Sequence, residues 1–138
     1  MKLYLAHPIL DRDWVRIEEL KMEKEFDIEL VNPFYDAAER KDIQDIDSGK
    51  KGINDPNLNA KKIVEGDLKA IDNADGIVAL VTEKASVGVY CEIFYNSHVL
   101  KRPTYLIITD PSKFTHPWLV YYGSKRFHSL DEFKEWLK

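Results

Sequence analysis

Six consecutive apolar residues, Gly76-Ile77-Val78-Ala79-Leu80-Val81, do most to limit how this chain of 138 residues can fold. The run is short for a helix and shows no polar alternation, so it reads as a strand buried on both faces. It is followed by Ser86-Val87-Gly88-Val89-Tyr90-Cys91-Glu92 and then by a second apolar run, Ile93 to Leu100, long enough for a helix. Strand, glycine turn and helix start is the place where open α/β sheets bind ligands. Glu92 sits one turn into that helix and is the only formally charged residue between Lys84 and Lys101. A carboxylate in so apolar a segment is costly to bury unless it has a partner or a task. Glu92 is therefore read as the centre of a site.

The remaining chain fits around that strand. Lys2 to Ala6 predicts a strand, broken by His7-Pro8. Asp11 or Asp13 can cap a helix through about Glu25, on which Trp14, Ile17 and Leu20 share one face and Glu18, Glu19, Lys21 and Lys24 lie mostly elsewhere. Ile28 to Val31 is a second strand, ended by Asn32-Pro33. Residues 35–59 are polar and read as a long loop, with a turn of helix over Asp36–Arg40; it is either a binding loop or a solvated insertion. Asp42, Asp45 and Asp47 lack the spacing of a calcium loop, so no metal is expected. A helix from about Asn59 to Ile71 carries an apolar stripe of Ala60, Ile63, Val64, Leu68 and Ile71, and Asp67 is the one charge on that face.

After the Glu92 helix, Thr104 to Ile108 is a strand, and His116-Pro117 starts a short helix that ends at Gly123. Arg126 to His128 is an edge strand, and Ser129 with Glu132 starts a final helix. Strands alternating with helices imply a parallel sheet covered on both faces. The expectation is a single α/β domain over residues 1–138. It would be a doubly wound, flavodoxin-like, five-stranded parallel sheet, with the first and third strands meeting at the switch point.

A net charge of −4 gives no basic stripe for a nucleic-acid polymer, although a helix N-terminus can still hold one phosphate. The single cysteine, Cys91, excludes an intrachain disulfide, and it is expected in the core rather than as a nucleophile. Met1-Lys2 leads directly into a strand without a signal-peptide pattern, and no apolar stretch approaches membrane-spanning length. A cytoplasmic protein that does not engage membranes is the expectation. His7, His98, His116 and His128 show no metal-ligand spacing, and no cofactor is expected.

Asp67 and Glu92 flank the third strand on two helices and can face one pocket. Two carboxylates in different surroundings suit cleavage of a glycosidic bond, one attacking the anomeric carbon and one holding a proton for the leaving group. They can equally be structural, bonded to backbone amides or to Tyr4, Tyr90 or Tyr95. His7 and Pro8 follow the first strand at the expected ligand edge. Phe34, Tyr35, Trp118, Tyr121 and Tyr122 read mostly as core by default; some can stack a base, and Phe34-Tyr35 is best placed to do so.

Three pieces in order resemble the nucleoside 2-deoxyribosyltransferase family: Leu3-Tyr4-Leu5-Ala6 with Pro8; Glu65-Gly66-Asp67-Leu68 leading to Ala74-Asp75-Gly76-Ile77-Val78-Ala79; and Ser86 to Glu92. The Lys101-Arg102-Pro103 break also fits, and the resemblance spans most of residues 1–110. It implies a flavodoxin-like fold and cleavage of the bond between sugar and base. By that likeness Glu92 is the nucleophile, Tyr4 orients it, and Asp67 contacts the base and moves its proton. The resemblance also implies a homo-oligomer. The family divides into transferases on nucleosides and hydrolases on nucleoside 5′-monophosphates. Serine at the position of Ser86, beside Gly88 at a helix start, resembles the phosphate-binding hydrolases. Those hydrolases carry an arginine soon after the first strand, where this chain has Ile9-Leu10 and then Arg12. There are two rival readings, the first using the same pocket. One is a nucleotide-sensing module that does not cleave; the other is a flavin or signalling domain, for which the first loop lacks the hydroxyl-rich pattern.

Overall fold

The computed structural model describes residues 1–35 and 60–138. The expected helical turn after Tyr35, the rest of that loop and Asp42, Asp45 and Asp47 lie outside the described residues. Strands β1 (Lys2–Ala6), β2 (Glu29–Val31), β3 (Gly76–Val81), β4 (Thr104–Ile108) and β5 (Lys125–Phe127) form one sheet in the order β2-β1-β3-β4-β5. Every pairing is parallel. Tyr4 lies opposite Ile77 and Ala6 opposite Ala79, so the first and third strands meet at the switch point as expected. The helices are α1 (Arg12–Glu25), α2 (Ala60–Asp72), α3 (Val87–Phe94, continued by a π turn over Tyr95–Val99), α4 (Pro117–Tyr122) and α5 (Leu130–Leu137).

All six residues of β3 are buried. Side chains alternate across the sheet with a period of two, which divides the core into two layers. Tyr4, Ala6, Ile77, Ala79 and Val81 point to one face and pack against Ile71 of α2, Val89 and Ile93 of α3 and Leu119 of α4. Leu3, Leu5, Val78 and Leu80 point to the other, against Val15 and Met22 of α1 and Phe133 of α5.

Helix α1 departs from expectation. Trp14, Ile17 and Leu20, its predicted packing stripe, are 40%, 57% and 50% exposed, whereas Val15, Glu19 and Met22 are buried. The helix has two apolar stripes, and periodicity does not say which one meets the sheet. Glu19 is tolerated inside because Arg16 Nη1 donates to its Oε1 at 2.6 Å and Asn32 Nδ2 to its Oε2 at 2.7 Å. Val64 of α2 is also exposed, and so is Cys91, against the expectation of a core thiol. On α3 it is Val89 and Ile93, one turn apart, that face the sheet.

The ends of the elements are built as their residues dictate. Ser129 Oγ accepts from the Glu132 amide, and Glu132 Oε2 accepts from the His128 amide, closing the start of α5. Gly76 stands where the chain enters β3 against the strand beside it. A Cβ there would lie 2.6 Å from the Pro103 carbonyl oxygen, which accepts from Ile77 N at 3.0 Å. Gly76→Ala is therefore expected to force β3 away from that carbonyl and to cost about 1–3 kcal/mol. The measurement is the urea midpoint of the variant; a midpoint equal to wild type would show that the strand entry yields freely.

Candidate active site

The site is assembled on the α2–α3 face of the sheet, at the junction of β1 and β3. Tyr4 lies in the middle of β1 and is fully buried. Its ring crosses the layer beneath α2 and α3, and its Oη donates a short hydrogen bond to Glu92 Oε2. Glu92 is half-buried on α3, between the inward-facing Val89 and Ile93. A phenol is well suited to this contact: its ring supplies apolar burial and its hydroxyl meets the carboxylate that the layer would otherwise desolvate. Of the structural partners open to Glu92 from sequence, the structure brings Tyr4; Tyr95 Oη instead donates to Asp72 Oδ1 at 2.6 Å. Asp67 is half-buried on α2, one turn before the fully buried Ile71. It therefore lies on the stripe that α2 turns toward the sheet, nearer the helix start, which is the strands' C-terminal edge.

Ser86 is the N-cap residue of α3, in extended conformation, and its side chain makes no capping hydrogen bond to the helix. Among the described residues, a Cβ at Gly88 would meet nothing closer than Ser86 Oγ at 3.9 Å. The first amides of a helix have no partners within the helix and favour negative charge. Such amides, together with a hydroxyl like that of Ser86, are chemically suited to an anion.

The other expected contact residues form a second cluster at the ends of β1 and β2. His7 is buried, with Nδ1 2.8 Å from the Pro8 carbonyl oxygen and Nε2 3.2 Å from Asn32 Oδ1. Phe34 packs on the His7 ring at 4.8 Å, and its amide donates to Asn32 Oδ1. Tyr35 lies beneath the Arg16 guanidinium at 4.6 Å, and burial raises its pKa above the usual phenol value. Pro8 is buried, and its carbonyl also accepts from the Asp11 amide. His7, Pro8, Phe34 and Tyr35 thus come together, joined through Asn32 to Glu19 and Arg16. The structure pairs Tyr4 with Glu92.

Asp11 carries a role that the sequence reading did not give it. It is the N-cap residue of α1, but its carboxylate accepts from Trp14 Nε1 at 2.9 Å and from Thr82 Oγ1 at 2.8 Å. This ties the loop after β1 to the end of β3. Lys113 reaches the same strand end, donating to the Thr82 carbonyl at 3.3 Å and pairing with Asp110 at 3.4 Å. Burial lowers the Lys113 pKa, but Tyr90 and Asp110 outweigh it and the net shift is upward. The contacts to Thr82 have no local signal, because it lies 71 residues from Asp11 and 31 from Lys113 in sequence. Among the described residues no cluster of His, Cys, Asp and Glu is arranged to hold a metal ion, and no helix is long and apolar enough to cross a membrane.

Burial pulls the His7 pKa below 6.5, outweighing the Pro8 and Asn32 contacts that raise it. Below the unfolded value the unfolded chain takes up a proton that the native ring refuses. Stability from this group is complete above pH 6.5 and is lost as pH falls toward the depressed native value. The melting temperature of wild type is expected to drop more than that of His7→Gln between about pH 7.5 and about pH 5.5. Parallel curves for the two proteins would remove His7 as the titrating group.

No protein-family model and no curated protein matches the chain at the level of sequence. Solved structures do match it. A 2-deoxyribosyltransferase from Bacillus psychrosaccharolyticus is similar with a TM-score of 0.68 at 14% identity, over 97% of this chain and 90% of that one. A conserved protein from Enterococcus faecalis V583 gives 0.69 at 17% identity, over 98% and 95%. The CMP N-glycosidase BcmB of Clostridium botulinum gives 0.60 at 15% identity, over 99% and 97%. The likeness is one of fold and runs nearly end to end. The chain has the α/β fold of a 2-deoxyribosyltransferase and of a CMP N-glycosidase, the fold that its sequence motifs led us to expect.

Proposed function

We propose that this protein cleaves the N-glycosidic bond of (deoxy)nucleosides or their 5′-monophosphates by double displacement through Glu92, passing the sugar to a second base or to water. The observation that carries this reading is the hydrogen bond from Tyr4 Oη to Glu92 Oε2, which fixes a carboxylate on the helix that Ser86 begins. The names of two structural neighbours, a 2-deoxyribosyltransferase and a CMP N-glycosidase, support the same chemistry.

In the first step a Glu92 oxygen attacks C1′ as the bond from C1′ to the base nitrogen breaks. The electron pair leaves with the base, which takes a proton from Asp67. The sugar is then held as an ester of Glu92. Tyr4 holds one carboxylate oxygen, so the other is presented in one orientation and its rotation is not lost in the transition state. The negative charge also stabilises the oxocarbenium character that develops at C1′. In the second step water or an incoming base attacks C1′ from the opposite side. It loses its proton to Asp67 and regenerates Glu92. No metal or cofactor is required.

Ser86 and the α3 amides favour a 5′-monophosphate over a nucleoside as substrate, because a hydroxyl with several N–H donors at a helix start matches phosphate oxygens. His7, Phe34 and Tyr35 are assigned to the base side of the pocket, with Pro8 shaping the turn.

The test is product analysis with deoxynucleosides and their 5′-monophosphates, with and without a free acceptor base. Glu92→Ala is expected to lower base release by on the order of 10³-fold or more. Tyr4→Phe is expected to lower kcat by about 10- to 100-fold, the value of one hydrogen bond to a charged group. Wild type turning over no faster than Glu92→Ala would overturn the enzymatic reading and favour a binding module. Ser86→Asp is expected to reduce kcat/KM about tenfold or more for monophosphates while leaving nucleosides little affected, since it sets a carboxylate against the phosphate. An equal effect on both substrates would remove Ser86 from phosphate recognition.

A further inference from the structure

The two helices that carry Asp67 and Glu92 are tied together at the edge of the sheet where β3 and β4 begin. Helix α2 ends there at Asp72, and α3 runs on into the π turn over Tyr95–Val99. Tyr95, the first residue of that turn, reaches across to α2 and donates from its Oη to Asp72 Oδ1 at 2.6 Å. Arg102 makes the second tie. Its backbone N–H donates to the Asn96 carbonyl of the π turn at 3.1 Å. Its guanidinium Nη1 lies 3.0, 2.7 and 2.7 Å from the carbonyl oxygens of Ile71, Asp72 and Ala74, at the end of α2. A helix end leaves carbonyls short of partners, and a cation suits the negative end of the helix dipole.

The connection between the ties is constrained. Lys101, just before Arg102, has φ 56°, and among the described residues it is the one non-glycine residue in the left-handed region. Such a conformation persists where the surroundings impose it. Asn96 is fully buried, with Nδ2 3.1 Å from the Pro103 carbonyl oxygen and 2.9 Å from Thr104 Oγ1. π turns are themselves uncommon and recur at functional sites.

Helices α2 and α3 also meet over the sheet through Ile71, Val89 and Ile93. Apolar contact is non-directional, so it holds two helices together without fixing how far one has slid past the other. Hydrogen bonds have a length and a direction, and they fix it. Asp67 lies five residues before Asp72, about 7.5 Å along α2, and Glu92 three residues before Tyr95, about 4.5 Å along α3. A displacement at the tie therefore reaches both carboxylates.

We infer that Tyr95 and Arg102 are positioning residues, which lock α2 against α3 and thereby set the separation of Asp67 from Glu92. The inference rests on the function proposed above, in which a proton held by Asp67 and attack by Glu92 act on the same bond. A misplacement of about 1 Å costs on the order of 10²-fold in rate.

One measurement reads the helices and needs no turnover. Lys69→Cys, at an exposed position of α2, is spin-labelled together with the native, exposed Cys91 of α3, and the distance between the labels is taken by double electron–electron resonance. Tyr95→Phe and Arg102→Gln are each expected to shift or broaden that distance. A second measurement reads the reaction, at a temperature where circular dichroism shows every variant folded. Tyr95→Phe is expected to lower kcat about tenfold while KM changes less than about twofold. Asp72→Ala is expected to match it, and Asp72→Asn, whose amide oxygen still accepts from Tyr95, to retain most of the wild-type kcat. Tyr95→Phe combined with Asp72→Ala is expected to lose no more than either alone, because both remove the same bond. An unchanged label distance, or a Tyr95→Phe kcat equal to wild type, would overturn the inference and leave Glu92 as the nucleophile. Wild type no faster than Glu92→Ala would instead remove the proposed function, and this inference with it.

Discussion

The structure depends on the complete burial of β3. A strand apolar at every position needs partners on both edges and cover on both faces, since no side of it can face water. β1 and β4 supply the edges, α2 to α4 one cover, and α1 and α5 the other. With β2 paired to the far side of β1, the chain changes direction between β1 and β3. Their C-terminal ends open there into the crevice where a parallel sheet of this type binds ligands. The location of the candidate site is thus a consequence of packing one strand.

Two polar systems hold that crevice in shape. On one side Arg16, Glu19, Asn32 and His7 run as a hydrogen-bonded chain from α1 to the end of β2 and the loop after β1. On the other, Asp11 bridges Trp14 and Thr82. Glu19 is fully buried and would destabilise the core if either partner were lost, because an uncompensated buried charge costs several kcal/mol. These groups tie the loop after β1 to the ends of β2 and β3. In the function we propose, that loop lines the base side of the pocket, and a site of this kind gains from such fixed support.

The Tyr4–Glu92 contact joins the two levels of the structure. It serves the fold by giving a carboxylate in an apolar layer its hydrogen bond, and it serves the proposed chemistry by fixing the direction in which that carboxylate points. The same bond therefore supports both readings of Glu92 that the sequence leaves open, a structural residue and a nucleophile.

The sequence by itself determined the elements and their order, because each strand and helix is written in local periodicity and in capping residues such as Ser129 with Glu132. It also determined the sheet topology, since alternating strands and helices have few ways to bury their apolar faces. It picked out Glu92 and Asp67, because a charge within an apolar stripe is visible without coordinates. Tertiary structure alone decided which stripe of α1 faces inward. Val15 and Met22 could not be ranked above Trp14, Ile17 and Leu20 until Arg16 and Asn32 were seen to satisfy Glu19 between them. It alone gave Asp11 to Thr82 and Trp14, left Cys91 exposed, and buried His7 against Asn32. The physical reason is common to all four. Periodicity records what a residue's neighbours in sequence are, whereas the cost of burying a polar group is set by partners that only the folded chain brings within hydrogen-bonding distance.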